Sequence, residues 1–223
     1  MHPIERLRFV ARARGVPGDL LAAEATAALM TFAGEPAALV AGCRRVLSRQ
    51  PGCGPLWWAC ARLLTADDIR RVASATIAAL EGDTTEAALS MALFDEPEID
   101  EPAPDGTELP RPASGRGGEP HRRAQLVRAH AIGDGGAIVD ASQMDALDPT
   151  RGPRWLVGGV GVHLSDAMWA SLAEHWSESP GGSEDLVPLD AFTHVVGPDG
   201  PLPTAALGDA DCPVAPELFR LAG

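Results

Sequence analysis

The chain has 223 residues, of which 31 are acidic and 18 are lysine or arginine, so its formal charge at neutral pH is −13. All 18 are arginines, and lysine, asparagine and tyrosine do not occur in the sequence. Without lysine, the chain cannot form a lysine Schiff base or supply the lysine of a P-loop or a protein kinase. The acidic charge predicts no nucleic-acid partner, because binding to phosphate backbones requires a basic surface.

Several further classes are disfavoured by the sequence. No apolar run approaches the roughly 20 residues that span a bilayer, and the first 14 residues lack the apolar centre of a signal peptide. The four cysteines form no CxxC pair and no disulfide pattern, so we predict a cytoplasmic protein with reduced thiols. No group of His, Cys and Asp has metal-ligand spacing, and we expect neither a metal nor another cofactor.

Residues 1–94 are predicted to form a helical domain, because apolar residues recur there at three- and four-residue intervals. Pro36 and Pro55 stand where a first-turn proline begins a helix. The clearest pattern is a single apolar stripe with helical spacing. Its members are Ile69, Val72, Ala73, Thr76, Ile77 and Leu80.

Polar residues are predicted to cap three of these helices. Thr65 with Asp68 three residues later resembles a capping box at the start of the helix that carries the stripe. Asp19 is the expected N-cap of the second helix, and Asp83 that of the sixth, with Glu86 at its third position.

Residues 95–120 are predicted to be a flexible linker. Seven carboxylates lie between Asp95 and Glu108, and prolines and glycines fill most of the rest. Such a segment buries too little apolar surface to offset its chain entropy. The alternative function for this segment is an acidic docking peptide for a basic partner.

Residues 121–223 are predicted to form a reduced Rossmann-like α/β domain with a small, mainly parallel sheet and a Pro-rich, solvated tail. The predicted strands are residues 125–132, 137–141, 154–157 and 192–196. The twelve residues between the second and third of these are just enough for a parallel crossover. A helix is expected from Ser165. A sheet of three or four strands leaves open edges, so we expect dimerisation or a second protein to cover them.

Two groups of residues are candidate anion sites. Gly158, Gly159 and Gly161 join a strand to a helix, where glycines allow a phosphate to approach backbone N–H groups. The GxGxxG fingerprint lacks its third glycine, so a tight turn without a ligand is the alternative. Arg49 is the second candidate and lies with Arg44, Arg45 and Arg62 around the loop at residues 51–55, with ordinary surface ion pairs as the alternative.

Several sequence blocks resemble actinobacterial proteins related to the alpha, beta and delta subunits of translation initiation factor two-B. These blocks are HPIERLRFVAR at residues 2–12, CRRV at 43–46, GPLWWACAR at 54–62, WLVGGVG at 155–161 and Met168 with Trp169. The resemblance implies a helical domain joined to a Rossmann-like sheet of the ribose-phosphate-isomerase and coenzyme-A-transferase type. It also implies a homodimer, or pairing with a related subunit.

Sugar-phosphate isomerases of this group bind phosphosugars between the two domains, with a cysteine and an aspartate as the reactive residues. The aspartate turn is altered here to Gly133-Asp134-Gly135-Gly136, and the cysteine loop has no counterpart. We therefore predict a non-catalytic regulatory or ligand-sensing protein that binds a phosphorylated metabolite. The alternative is an isomerase with a divergent site, in which Asp134 and Cys53 would be the acid–base groups.

Overall fold

The computed structural model describes residues 3–95, 124–148, 152–178 and 184–221. Most of the predicted linker, and with it the alternative docking peptide, lies outside these ranges. The helices are α1 (Pro3–Arg12), α2 (Gly18–Leu29), α3 (Pro36–Leu47), α4 (Gly54–Leu64), α5 (Ile69–Glu81), α6 (Thr85–Asp95), α7 (Ala141–Asp145) and α8 (Asp166–Ser177). The strands are β1 (Gln125–Gly133), β2 (Gly136–Asp140), β3 (Arg154–Val157), β4 (Glu184–Pro188), β5 (His194–Gly197) and β6 (Gly200–Pro203). None of the helices in these ranges has the length and apolar character needed to cross a bilayer.

The helix starts follow the local sequence, with two corrections. Pro36 and Pro55 stand in the first turns of α3 and α4, as predicted. The cap of α5 is Asp68, which accepts the backbone N–H of Arg71 at 3.0 Å, whereas Thr65 ends α4. Helix α2 begins at Gly18, so Asp19 lies inside its first turn rather than at its N-cap.

The predicted fold class is confirmed. In the described residues the sheet has six strands in the order β4-β2-β1-β3-β5-β6. The central strands β1, β3 and β5 are parallel, and the pairs towards both edges are antiparallel, which makes the sheet mixed. The predicted parallel crossover from the second to the third strand is wrong, because β3 pairs with β1 and not with β2.

The expected count of three or four strands is also wrong, because β4 and the Pro-rich β6 are the outer strands of the sheet. An edge strand tolerates proline because one side needs no N–H donor, and this explains Pro201 and Pro203 in β6. Glu184 and Asp185 place charge on the β4 edge, which disfavours pairing with another chain. Missing strands therefore give no reason for dimerisation, and the dimer stays a prediction from the resemblance.

One hydrophobic core joins the helices to the sheet. Leu56 and Trp57 of α4 belong to the same buried cluster as Ala131 of β1 and Leu172 of α8. Residues from the predicted solvated tail also enter this cluster, among them Cys212 and Leu218, so that expectation is wrong. The tail is held by hydrogen bonds as well. Trp58 donates its indole N–H to the carbonyl of Asp211 at 2.8 Å, and Arg44 donates to that of Glu217 at 2.8 Å.

A β-bulge in β1 lies where α4 meets the sheet. The register with β2 shifts between Ala129 and Ala131, which leaves His130 as the extra residue. The first residue of α4, Gly54, packs against this bulge. A Cβ atom on Gly54 would lie 2.7 Å from the carbonyl oxygen of His130 and 3.0 Å from that of Val162. Glycine at this position therefore allows the helix to contact the bulge closely.

We expect Gly54→Ala to lower the free energy of unfolding by about 1 to 3 kcal/mol, because the added methyl group meets backbone atoms that have no room to move. Urea unfolding measures this change. Gly34→Ala is the control, because a Cβ there meets no atom within 4 Å, and it should leave stability unchanged or slightly higher. Equal stability of the two variants would contradict this account of α4 packing.

Candidate functional site

A cleft of about 1220 Å³ lies between the helical part of the molecule, α1 to α6, and the sheet. One wall is formed by the loops that follow α1 and α3, at residues 13–19 and 48–53. The opposite wall contains His130 at the bulge of β1, Asp140 at the end of β2 and Gly159 in the loop after β3. The cleft therefore lies where the helical part, the bulge and the glycine-containing loop meet.

The cleft is lined by charged groups of both signs. Its carboxylates are Asp19, Glu81, Asp83, Glu86, Asp140 and Glu184, and its arginines are Arg14, Arg49 and Arg128. The guanidinium of Arg128 donates a hydrogen bond to Glu86, which links β1 to α6. This bond lowers the pKa of the Glu86 carboxyl and raises the pKa of Arg128. Both groups thus remain charged and neutralise each other.

Asp83 connects the two parts of the molecule through both of its carboxylate oxygens. Its Oδ1 accepts the backbone N–H of Thr85, the first residue of α6, at 2.8 Å and the Thr85 hydroxyl at 2.6 Å. The predicted N-cap is one residue too early, because the Thr84 carbonyl accepts the first helical bond, from Ala88. Oδ2 of Asp83 accepts the backbone N–H of Val160 at 2.9 Å, in the loop after β3. The side chain therefore places a negative charge inside the glycine-containing loop.

Of the three glycines predicted to form an anion site, one lines the cleft and two do not. Gly159 lines the cleft, but a Cβ on it would collide with the Asp83 carboxylate. Gly158 and Gly161 do not belong to the lining. A Cβ on Gly158 would lie 2.8 Å from Ile132, and one on Gly161, whose φ is +74°, would lie 2.8 Å from the Trp58 ring. These contacts account for both glycines by close packing.

Of the four arginines predicted to gather around the loop at residues 51–55, only Arg49 lines the cleft. Arg44 is bonded to the C-terminal segment, as described above, and Arg62 stacks 4.7 Å from the centre of the Trp58 ring and lies 3.8 Å from Asp211. Arg49 is exposed, and among the described residues it has no ion-pair partner.

Arg14 lies on the same wall as Arg49. Gln50 joins the two segments, because its side-chain amide donates to the carbonyl oxygens of Val10 at 3.1 Å and Ala13 at 2.8 Å. No carboxylate in the described part of the chain pairs with Arg14 either. Two cations on tethered loops can attract an anionic group of a ligand.

A cluster of polar side chains, His130, Asp140 and Gln143, lies on the opposite wall. His130 Nε2 is 3.2 Å from Asp140 Oδ1, and Gln143 donates its side-chain N–H to Asp140 Oδ2 at 3.0 Å. Gln143 is itself held by the backbone N–H of Arg128, which donates to its Oε1 at 2.8 Å. Nε2 of His130 is buried and makes no hydrogen bond, so its contact with Asp140 is electrostatic, and the imidazole lies in the cleft wall.

Sequence reasoning missed His130 and Asp140, although a signal was present. The hairpin turn at Asp134 and Gly135 pairs Gly133 with Gly136, as the predicted turn implies. Counting back from this turn pairs residue 130 with residue 139, next to Asp140, but a regular register would put the side chains of residues 130 and 140 on opposite faces. The bulge that displaces His130 has no comparable sequence signal.

The two residues proposed for an isomerase do not form a site together. Cys53 lines the cleft, but desolvation raises the pKa of its thiol to about 12, so it is protonated at neutral pH. Asp134 is exposed in the hairpin turn and lies outside the cleft lining. Within the described ranges, no three or more His, Cys, Asp or Glu side chains are grouped so that they could hold a metal ion.

Comparisons with known proteins support the fold. No protein-family model matches the chain, and neither does any curated protein sequence. Among solved structures, the crystal structure of eIF2B beta from Chaetomium thermophilum is similar, with a TM-score of 0.53 at 12% sequence identity. The similarity covers 91% of this chain and 88% of that chain. The chain therefore has an eIF2B-like fold, whereas its place in an actinobacterial branch stays a prediction.

We expect Asp83→Ala to lower the free energy of unfolding by about 2 to 3 kcal/mol, because it removes charge-assisted hydrogen bonds to Thr85, the first residue of α6, and to Val160. Asp68→Ala is the matched control, since Asp68 only caps α5, and it should cost about 1 kcal/mol. Chemical denaturation compares the two variants, and equal losses would mean that the Val160 contact adds no stability.

We expect Cys53 to resist alkylation by iodoacetamide at pH 8 in the native protein. Its thiolate forms only as the pH approaches 12, and the thiolate is the nucleophile. Peptide mass spectrometry measures the modified fraction at Cys53, with urea-unfolded protein as the control in which all four cysteines should react. Rapid native modification of Cys53 would contradict a protonated thiol and would revive its proposed acid–base role.

Proposed function

We propose that the protein is a non-catalytic regulatory or ligand-sensing protein on an eIF2B-like scaffold, and that it binds a phosphorylated metabolite in the cleft. The observation that carries this proposal is Arg49, an exposed cation in the cleft wall without an ion-pair partner among the described residues. Guanidinium groups stay charged at all physiological pH values and match the geometry of phosphate oxygens. Arg14 on the neighbouring loop adds a second positive charge.

The anionic part of the ligand belongs at this arginine end. At the other wall, Asp83 already fills the anion position in the glycine-containing loop. Asp140 lies there too, and its negative charge would repel a phosphoryl group, whereas Glu86 is neutralised by Arg128. Carboxylates line both walls, because Asp19 and Glu184 lie on the arginine side. They suit hydroxyl groups of a ligand, because carboxylates only accept hydrogen bonds.

The environments of Cys53 and Asp134, the candidate acid–base groups of an isomerase, favour a regulatory role. A protonated Cys53 is a poor nucleophile and a poor base, and Asp134 is too exposed, and outside the cleft lining, to act with it. We infer the same setting as from the sequence, a cytoplasmic homodimer or a complex with a related subunit. The free state of all four cysteines supports a reducing compartment.

A thermal-shift panel of inorganic phosphate, sugar phosphates and nucleotides tests the proposal. A ligand present at 100 times its Kd stabilises the folded protein by about 2.7 kcal/mol, which for a chain of this size is roughly 5 to 10 °C in Tm. We expect at least one phosphorylated compound to raise Tm by this amount, and Arg49→Gln to abolish the shift.

Arg45→Gln is the matched control, because Arg45 is an exposed arginine near the end of α3, four residues before Arg49, and does not line the cleft. It should leave the shift intact. No shift with any phosphorylated compound, or an equal shift in Arg49→Gln, would contradict phosphate binding at this site.

A further inference from the structure

The bulge in β1 gives His130 an unusual position for a strand residue. In a regular strand, neighbouring side chains point to opposite faces, and an extra residue changes where the side chain points. Here the extra residue brings the imidazole beside Asp140, and both line the cleft. Their side chains are 36% and 38% exposed, so a ligand in the cleft can reach both.

The imidazole is oriented by a chain of contacts that begins in the backbone. The N–H of Arg128 holds Gln143, Gln143 holds one oxygen of Asp140, and the other oxygen of Asp140 faces His130 Nε2. Gln143 uses its amide oxygen for Arg128 and its amide nitrogen for Asp140, and Asp140 presents one carboxylate oxygen to Gln143 and the other to His130. Nε2 is buried beside this oxygen without a hydrogen-bond partner, so the contact is electrostatic, and Nδ1 takes no part in it.

The partner of Nε2 determines the chemistry of Nδ1. The negative charge of Asp140 lies 3.2 Å from Nε2 and would repel a lone pair there, so in the neutral imidazole Nε2 carries the proton. Nδ1 then carries a lone pair and accepts a hydrogen bond. A ligand hydroxyl group is a donor that fits such an acceptor, whereas a phosphoryl oxygen is not.

We propose that His130 is a specificity-determining residue of the cleft, whose Nδ1 accepts a hydrogen bond from a hydroxyl group of the bound ligand. Asp140 and Gln143 are positioning residues for this contact. The proposal rests on the proposed function, because it assumes that Arg49 binds the phosphoryl group of the same ligand. It selects hydroxylated phosphates over apolar phosphates of equal length.

Isothermal titration calorimetry with two probes tests the proposal. Ribitol 5-phosphate carries hydroxyl groups along a five-carbon chain, and pentyl phosphate has the same carbon chain without them. We expect the wild-type protein to bind ribitol 5-phosphate at least about tenfold more tightly, as one good hydrogen bond allows. His130→Phe keeps an aromatic ring of similar shape and should remove this preference without weakening pentyl phosphate.

Asp140→Asn is a second variant. Its effect on the tautomer of His130 distinguishes a positioning role of Asp140 from a purely structural one. The asparagine amide can donate to Nε2, which would move the imidazole proton to Nδ1 and abolish the acceptor. We expect ¹⁵N NMR to detect the Nε2–H form of His130 in the wild-type protein and the Nδ1–H form in this variant, together with loss of the ribitol 5-phosphate preference.

The outcomes separate the two proposals. If both probes bind, Arg49→Gln weakens both and His130→Phe keeps the full preference, the role of His130 is overturned and the phosphate site stands. Equal binding of both probes to the wild-type protein would also overturn the role of His130 and leave the phosphate site standing. If neither probe nor any compound of the thermal-shift panel binds, the phosphate site and the role of His130 both fail.

Discussion

The Asp83 carboxylate connects the helical part to the sheet directly beside the cleft. It lies between α5 and α6, accepts the first N–H of α6 through one oxygen and the Val160 N–H through the other. The helical part and the loop after β3 therefore share one side chain. Together with Gly54, which lets α4 approach the bulge of β1, this contact gives the cleft two fixed walls. A preformed cleft reduces the ordering cost of binding.

The Asp83–Val160 contact also makes the two walls of the cleft chemically different. A loop that offers backbone N–H groups after a strand is a common place for a phosphate, but here an internal carboxylate takes that position. The cations that remain without carboxylate partners in the described part of the cleft are Arg14 and Arg49, on the opposite wall. His130 and Asp140 provide a polar region that is unsuited to an anion. A ligand with one phosphoryl end and one hydroxylated end matches this distribution of charge.

Local signals made much of the fold predictable, and long-range pairing limited the rest. Pro36, Pro55 and Asp68 begin helices through interactions within one turn, so the sequence alone indicates them. Strand β6 contains prolines that normally argue against a strand, and only its edge position makes them acceptable. The role of Asp83 was predictable only in part. Its bond to the first N–H of α6 is local, although it lies one residue before the N-cap, whereas its bond to Val160 joins residues 77 positions apart.

An anion at the arginine end of the cleft should leave the Asp83–Val160 contact intact. Two-dimensional NMR of backbone amides during a titration with inorganic phosphate tests this mode of binding. We expect shifts for the amides of Arg49 and its loop neighbours at residues 48–52, and an unchanged Val160 amide. Large shifts at Val160 and Gly159, with none at Arg49, would mean that phosphate displaces Asp83 and that the arginine end is not the binding site.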